Sequence, residues 1–141
     1  MNSLKATSIS KTYSIDGHNI EVLRNLNLLI NKGDTVAISG QSGSGKSTLL
    51  QILALLDKQS SGTVELNGKA VGHLSANKKS QIRLNNFGFV YQHHHLLEDL
   101  TVYENIALPL QLKGDLVNLD TKVRDLAKSI GLIERLNHLP W

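Results

Sequence analysis

Leu4, Ala6 and Ser8 recur at every second position, and an apolar pattern resumes at Val22-Leu23, Leu26, Leu28 and Ile30, beyond the turn signal Asp16-Gly17-His18. This predicts short strands folded back on one another, an antiparallel lobe. After Asn31-Lys32-Gly33-Asp34 comes Thr35-Val36-Ala37-Ile38-Ser39, a nearly continuous run of β-favouring residues ending in glycine. Such a run suits a central strand covered on both faces. From Lys46 the chain turns rich in Leu and Ala with neither Gly nor Pro, which predicts a buried helix directly after a glycine loop. Thr63-Val64-Glu65-Leu66 and Lys69-Ala70-Val71 flank Asn67-Gly68, a strong hairpin turn. Ser75 can cap a polar helix to about Arg83, and Phe87-Gly88-Phe89-Val90-Tyr91 reads as a second buried strand ending at Gln92. Thr101-Val102-Tyr103-Glu104 is a capping box for a helix through about Leu112. Val123, Leu126, Ala127 and Ile130 then recur at i, i+3, i+4 and i+7, placing them on one face of a last helix.

Composition narrows the class. With 141 residues, 40% hydrophobic and 19% charged, the chain falls in the size range of one domain and is less charged than the roughly 25% of an average soluble protein. A net charge of +3 is scattered along the chain without a basic block, so nucleic acid is not an expected partner. There is no cysteine, hence no disulfide framework and no thiolate metal site. The bulkiest apolar stretch, residues 49–56, is interrupted by Gln51 and falls far short of the ~18 to 20 residues needed to span a bilayer. The first residues carry no secretory signal, so the expected address is the cytosol.

One segment carries chemistry. Gly40-Gln41-Ser42-Gly43-Ser44-Gly45-Lys46-Ser47 fits the phosphate-loop pattern G-x-x-x-x-G-K-[ST], with Thr48 following. A shuffled chain of this composition contains the pattern about once in a hundred, and here a strand is expected before it and a helix after it. Glycines let successive N–H groups curl toward an anion, and the helix N-terminus adds its positive dipole end. Lys46 can reach the β- and γ-phosphates and the Ser47 hydroxyl can ligate magnesium, so the expected ligands are ATP and Mg2+.

Beyond this loop, Lys11-Thr12-Tyr13, Val22-Leu23-Arg24-Asn25-Leu26, Ser60-Ser61-Gly62-Thr63-Val64 and Phe87-Gly88-Phe89-Val90-Tyr91-Gln92 together resemble the nucleotide-binding domain of ABC transporters over essentially the whole chain. The resemblance implies an α/β P-loop fold, with the chain matching its N-terminal part. An antiparallel lobe would occupy about 1–33 and 60–72, the P-loop core with an incomplete parallel sheet about 34–59 and 86–92, and the start of a helical subdomain about 93–141. It further implies that Tyr13 stacks on adenine, and that Gln92 contacts magnesium or the attacking water and senses the membrane partner. Read alone, Tyr13 is an ordinary strand aromatic and Gln92 a solvated strand-end residue. His93-His94-His95 looks like a metal tract, yet neighbours on an extended chain point to alternate sides. In related ATPases this segment meets the membrane subunit, so Leu96-Leu97 and Leu100 would form an apolar contact patch. Residues 89–101 and 104–110 are similar to the branch holding lipoprotein-releasing ATPases, MacB-type exporters and the cell-division ATPase FtsE. The implied partners are LolC/LolE-like integral membrane subunits and a second ATPase subunit, on the cytoplasmic face of the bacterial inner membrane.

The 141 residues contain no LSGG-like signature, no apolar strand ending in Asp-Glu and no later switch histidine, and His138 falls too early in the pattern to serve. These residues alone are therefore expected to bind ATP without hydrolysing it, whether as part of an ABC ATPase or as a non-enzymatic remnant of an interrupted gene. In relatives the Asp-Glu strand lies between the strands matching residues 35–39 and 87–91. Those two segments are accordingly expected to keep unpaired backbone groups and exposed apolar faces, making the isolated chain marginal in stability.

Overall fold

The computed structural model describes residues 3–92 and 95–141. They fall into two compact units, one ending at Arg83 and the other running from Leu84 to Trp141.

The first unit is built on a long hairpin. Strand β1 (Ser3–Ile15) and strand β2 (His18–Asn31) pair antiparallel through a two-residue turn, Asp16 and Gly17, both at positive φ (51° and 78°). Positive φ at both positions gives the turn a twist that matches the strands. Strand β3 (Ser61–Leu66) pairs with the other edge of β1, and β4 (Lys69–Ala70) returns through a second such turn at Asn67 and Gly68 (53° and 76°). The order is β2-β1-β3-β4, antiparallel throughout.

An irregularity in β1 decides what faces inward. Ser8 has φ 50° and the register with both neighbours shifts there. Ser8 N–H, lost from the ladder at the bulge, donates to Asn27 Oδ1 (2.9 Å), and at a second irregularity, in β2 at Asn25 (φ 45°), the Asn25 N–H donates to Ser10 Oγ (2.9 Å). One extra residue inverts the alternation. Ala6 faces the core before the bulge, whereas Ile9, Lys11 and the half-buried Tyr13 do so after it. Ser8 is exposed, correcting its expected place on the face of Leu4 and Ala6. Gly62 of β3 lies beneath the bulge at φ 87°, and a Cβ there would collide with the carbonyls of Thr7 and Ser8.

Helix α1 (Lys46–Leu53) lies against β2 and buries Leu49, Ile52 and Leu53, which with Ile9, Leu23 and Val64 belong to the buried apolar residues of this unit. Its end is unusual. Leu55, 2% exposed, takes φ 59°, and N–H groups of Leu55 and Leu56 donate to Ile52 and Gln51 carbonyls, the closing pattern that glycine ordinarily supplies. Helix α2 (Ala76–Asn86) places Arg83, whose guanidinium donates to the Leu55 carbonyl at 2.8 Å. A cation there complements the negative end of α1.

In the second unit, helix α3 (Val102–Lys113) and helix α4 (Leu119–Ser129) bury Ala107, Val123 and Ala127 together with Leu136. The expected capping box is present: Glu104 N–H donates to Thr101 Oγ1 (3.2 Å) and Thr101 N–H to Glu104 Oε2 (2.8 Å). The Thr101 amide and the Thr101 hydroxyl, which donates to the same Oε2 at 2.8 Å, hold the Glu104 carboxyl pKa below its ordinary value. Leu126 and Ile130 are 49% and 56% exposed, so the apolar face expected of α4 narrows to Val123 and Ala127.

The two segments expected as buried core strands form no ladder among the described residues. Residues 34–40 and 87–91 are irregular, Val36 and Phe89 are nearly half exposed and Val90 is fully so. Within residues 87–91 the rings of Phe87, Phe89 and Tyr91 stack in sequence at 6.0 and 5.8 Å. The incomplete parallel sheet expected of residues 34–59 and 86–92 is thus not formed among the described residues, because neither segment has a hydrogen-bonded neighbour. No described helix is long and apolar enough to cross a membrane.

Gly62→Ala is expected to lower stability by at least the ~1 to 2 kcal/mol of a left-handed non-glycine residue, since the collision beneath Ser8 adds to it. An unchanged urea midpoint would show that the bulge leaves β3 unconstrained. Thr101→Ala is expected to cost about 1 kcal/mol, seen as several-fold faster hydrogen exchange in the first turn of α3 with exchange in α1 unchanged.

Candidate functional site

Residues 40–48 wrap the N-terminus of α1. Gly40, Gly43 and Gly45 take positive φ of 153°, 78° and 86°. A Cβ on Gly40 would come within 2.8 Å of Ser44 Oγ, and one on Gly45 within 2.9 Å of the Val22 carbonyl and of Leu23 Cδ2. The loop therefore lies directly on β2, and a side chain at Gly45 would lift it away. Ser44 N–H donates to the Gln41 carbonyl (3.2 Å), and the first helical bond runs from Leu49 N–H to the Gly45 carbonyl (2.9 Å). The amides of Lys46, Ser47 and Thr48 precede that bond, no side chain caps the helix, and its first turn has no acidic residue. Outward-pointing amides at an uncapped helix start are an anion-receptive arrangement.

Lys46 crosses this loop, its ammonium donating to the carbonyls of Gly40 (2.9 Å) and Gln41 (2.6 Å). No ion pair engages it among the described residues. Val22, Ser42, Gly43, Gly45, Lys46, Ser47 and Thr48 line an open concavity of about 350 Å³. Ser47 is exposed at its edge and Thr48 half-buried. The donor set of amides, a lysine and hydroxyls is the chemistry that phosphate oxygens and a hard cation require, so these residues fit a nucleoside triphosphate with magnesium.

Tyr13 lies in the same unit at the end of the inward-facing row of β1. Its hydroxyl donates to Asp57 Oδ2 at 2.7 Å. The other carboxylate oxygen accepts from Lys11 Nζ at 2.8 Å, and that ammonium sits 4.5 Å from the Tyr13 ring centroid. Partial burial raises the Asp57 pKa, but bonds from Lys11, Tyr13 and the Lys58 amide outweigh it and hold the carboxyl below its ordinary value. Asp57 belongs to none of the sequence patterns, and Lys11 enters them only within Lys11-Thr12-Tyr13, with no role of its own. Unbroken alternation from Leu4 and Ala6 would send Lys11 outward; only the bulge brings it inside.

Gln92 is exposed and belongs to the second unit, so the structure does not join it to the loop. His93 and His94 fall outside the described residues, and His95 meets the edge of the Tyr91 ring at 5.0 Å. No cluster of three or more acidic or histidine side chains is placed to hold a metal among the described residues. Leu96 and Leu97 are half exposed, and the Asn105 side chain pins their loop by bonds to Leu97 and Leu100. His138 is exposed near the chain end, its carbonyl accepting from Val102 N–H.

Similarity to known proteins agrees with the geometry. The ABC transporter family pattern matches residues 23–140. The lipoprotein-releasing system ATP-binding protein LolD of Wigglesworthia glossinidia brevipalpis is 43% identical over 141 residues, covering 97% of this chain and 60% of that protein. LolD of Psychrobacter arcticus is 40% identical over 139 residues, with 97% and 62% covered. The solved dimeric structure of the ATP-binding cassette MJ0796 in a post-hydrolysis state, bound to ADP and Pi, superposes with a TM-score of 0.89 at 34% identity, covering 97% of this chain and 61% of that one. The chain thus spans about 60% of the length of these relatives. A glycine loop seated on a β-hairpin at an uncapped helix start, and a family pattern reaching across most of the sequence, place this α/β chain in the ABC transporter family.

Proposed function

We propose that this chain is the ATP-binding part of an ABC transporter ATPase that powers release of lipoproteins from the inner membrane. The observation that carries the reading is the uncapped start of α1, enclosed by a glycine loop with an ion-unpaired Lys46. Gly40, Gln41, Ser42, Gly43, Ser44 and Gly45 would cradle the phosphates through backbone amides. Lys46 would exchange its two carbonyl acceptors for β- and γ-phosphate oxygens, which form stronger charge-assisted bonds. Ser47 and Gln92 would ligate magnesium, with Thr48 beside them and Tyr13 under the adenine. Bound magnesium supplies neutralisation of the charge that develops on the phosphate oxygens. Gln92 would also orient water and report to the membrane subunit.

Identity of 40–43% to LolD proteins supports LolC/LolE-like integral membrane subunits as partners, on the cytoplasmic face of the inner membrane. A dimeric structural neighbour supports pairing of two ATPase subunits, and the scattered charge gives no support to nucleic acid. The half-exposed Leu96 and Leu97 suit the membrane-subunit contact.

Lys46→Ala is expected to weaken magnesium–ATP binding at least about tenfold, since each hydrogen bond to a charged group contributes roughly 1.5 to 3 kcal/mol, with the circular dichroism spectrum unchanged. Equal affinity in parent and variant would sink the assignment. The 141 residues by themselves are expected to release no phosphate from ATP at a steady rate. Beside Ser47 and Gln92 the loop supplies no carboxylate to activate water or to add to the magnesium shell, and lacking both functions costs several orders of magnitude in rate. Steady turnover abolished by Lys46→Ala would overturn this.

A further inference from the structure

Lys11 is 8% exposed, which is rare for lysine, and three contacts hold its ammonium: Asp57 Oδ1 at 2.8 Å, the Lys58 carbonyl at 2.7 Å and the face of the Tyr13 ring at 4.5 Å. Asp57 divides its two oxygens between Lys11 and the Tyr13 hydroxyl. The three side chains close a ring of contacts in which the tyrosine is held at both its face and its tip.

Net stability is a poor account of this cluster, because desolvating an ion pair offsets most of its attraction. Position is a better one. Asp57 follows the closed end of α1, where its N–H donates to the Gln51 carbonyl (3.1 Å) and the left-handed Leu55 and the Arg83 bond pin the backbone. The other end of α1 carries the phosphate loop, about 12 Å away along an eight-residue helix. The lysine lies over one face of the half-buried aromatic ring, and a ring so fixed would receive a planar partner on its other face without the entropy of ordering a free side chain.

We propose that Lys11 and Asp57 are positioning residues that hold the Tyr13 ring as the platform for the nucleotide base, tying that platform to the helix whose other end holds the phosphates. The proposal rests on the reading of residues 40–48 as the phosphate site and of Tyr13 as the base contact. Lys11 and Asp57 would touch no part of the nucleotide; they act through the ring. Their loss should therefore reduce the advantage that a base gives a ligand, and leave recognition of bare phosphates in place.

The test is the ratio of affinities for ATP and for inorganic triphosphate, each with magnesium, by calorimetric titration of the whole chain. Tyr13→Ala is expected to lower the ratio about tenfold, the scale of one lost base stack. Asp57→Asn and Lys11→Met are expected to lower it three- to tenfold while triphosphate affinity stays within twofold. Tyr13→Phe keeps the ring and removes only the hydroxyl, so a fall in its ratio supports the clamp even if Asp57→Asn fails to fold. Absence of triphosphate binding by the parent chain would overturn the phosphate-site reading itself. An unchanged ratio in Tyr13→Ala would remove Tyr13 as base contact and the clamp with it. A ratio lowered in Tyr13→Ala but unaltered in Tyr13→Phe, Asp57→Asn and Lys11→Met would overturn the clamp alone.

Discussion

One extra residue in β1 governs the first unit. Because Ser8 bulges out, the inward row of the strand passes from even to odd positions, and a lysine and a tyrosine that would otherwise face water turn toward the end of α1. The bulge needs room beneath it, which only a residue without a side chain gives, and Gly62 stands there. Strand, bulge and glycine are thus a single device. Through it the hairpin chooses which chemistry enters the interior, while the same hairpin, at Val22 and Leu23, forms the floor on which the phosphate loop rests.

Helix α1 is held at both ends by different means. Its start is left open, with amides uncapped and a lysine arching across the loop; its finish is closed by a left-handed leucine, an arginine donated from α2 and an aspartate bonded to β1. Leu55 in a left-handed conformation stores roughly 1 to 2 kcal/mol of strain, which its full burial offsets. A rigid C-terminal end lets the open end receive a charge without the helix shifting under it.

How far the sequence could be read depended on the range of the interactions. Features set by neighbours a few residues apart were legible: the Asp16-Gly17 and Asn67-Gly68 turns, the Thr101-Glu104 capping box and the glycine loop before α1. Their physics is contained in the local residue types. Features set by distant partners were not. Residues 35–39 and 87–91 have the composition of buried strands, but a strand exists only with another chain segment alongside it, and among the described residues neither has one. The Lys11–Asp57–Tyr13 cluster was hidden for the same reason, since it joins positions 46 residues apart through a bulge that alternation does not announce. On α4, helical spacing gave the right register and too wide a buried face, because the small Ala107 and Ala127 bring α3 and α4 into contact and leave Leu126 and Ile130 outside.

Lys46 is already satisfied by two carbonyls of its own loop. An arriving anion does not meet a bare charge; it must outbid Gly40 and Gln41 for the same protons, and those carbonyls must then turn to water. The loop consequently behaves as a threshold device. Weak, singly charged anions offer the ammonium little that it lacks, whereas a chain of phosphates offers several charged oxygens at once. On the proposed reading, a preference for polyphosphate over small anions would begin in these resting hydrogen bonds of the loop, before any contact with a base or a metal is made.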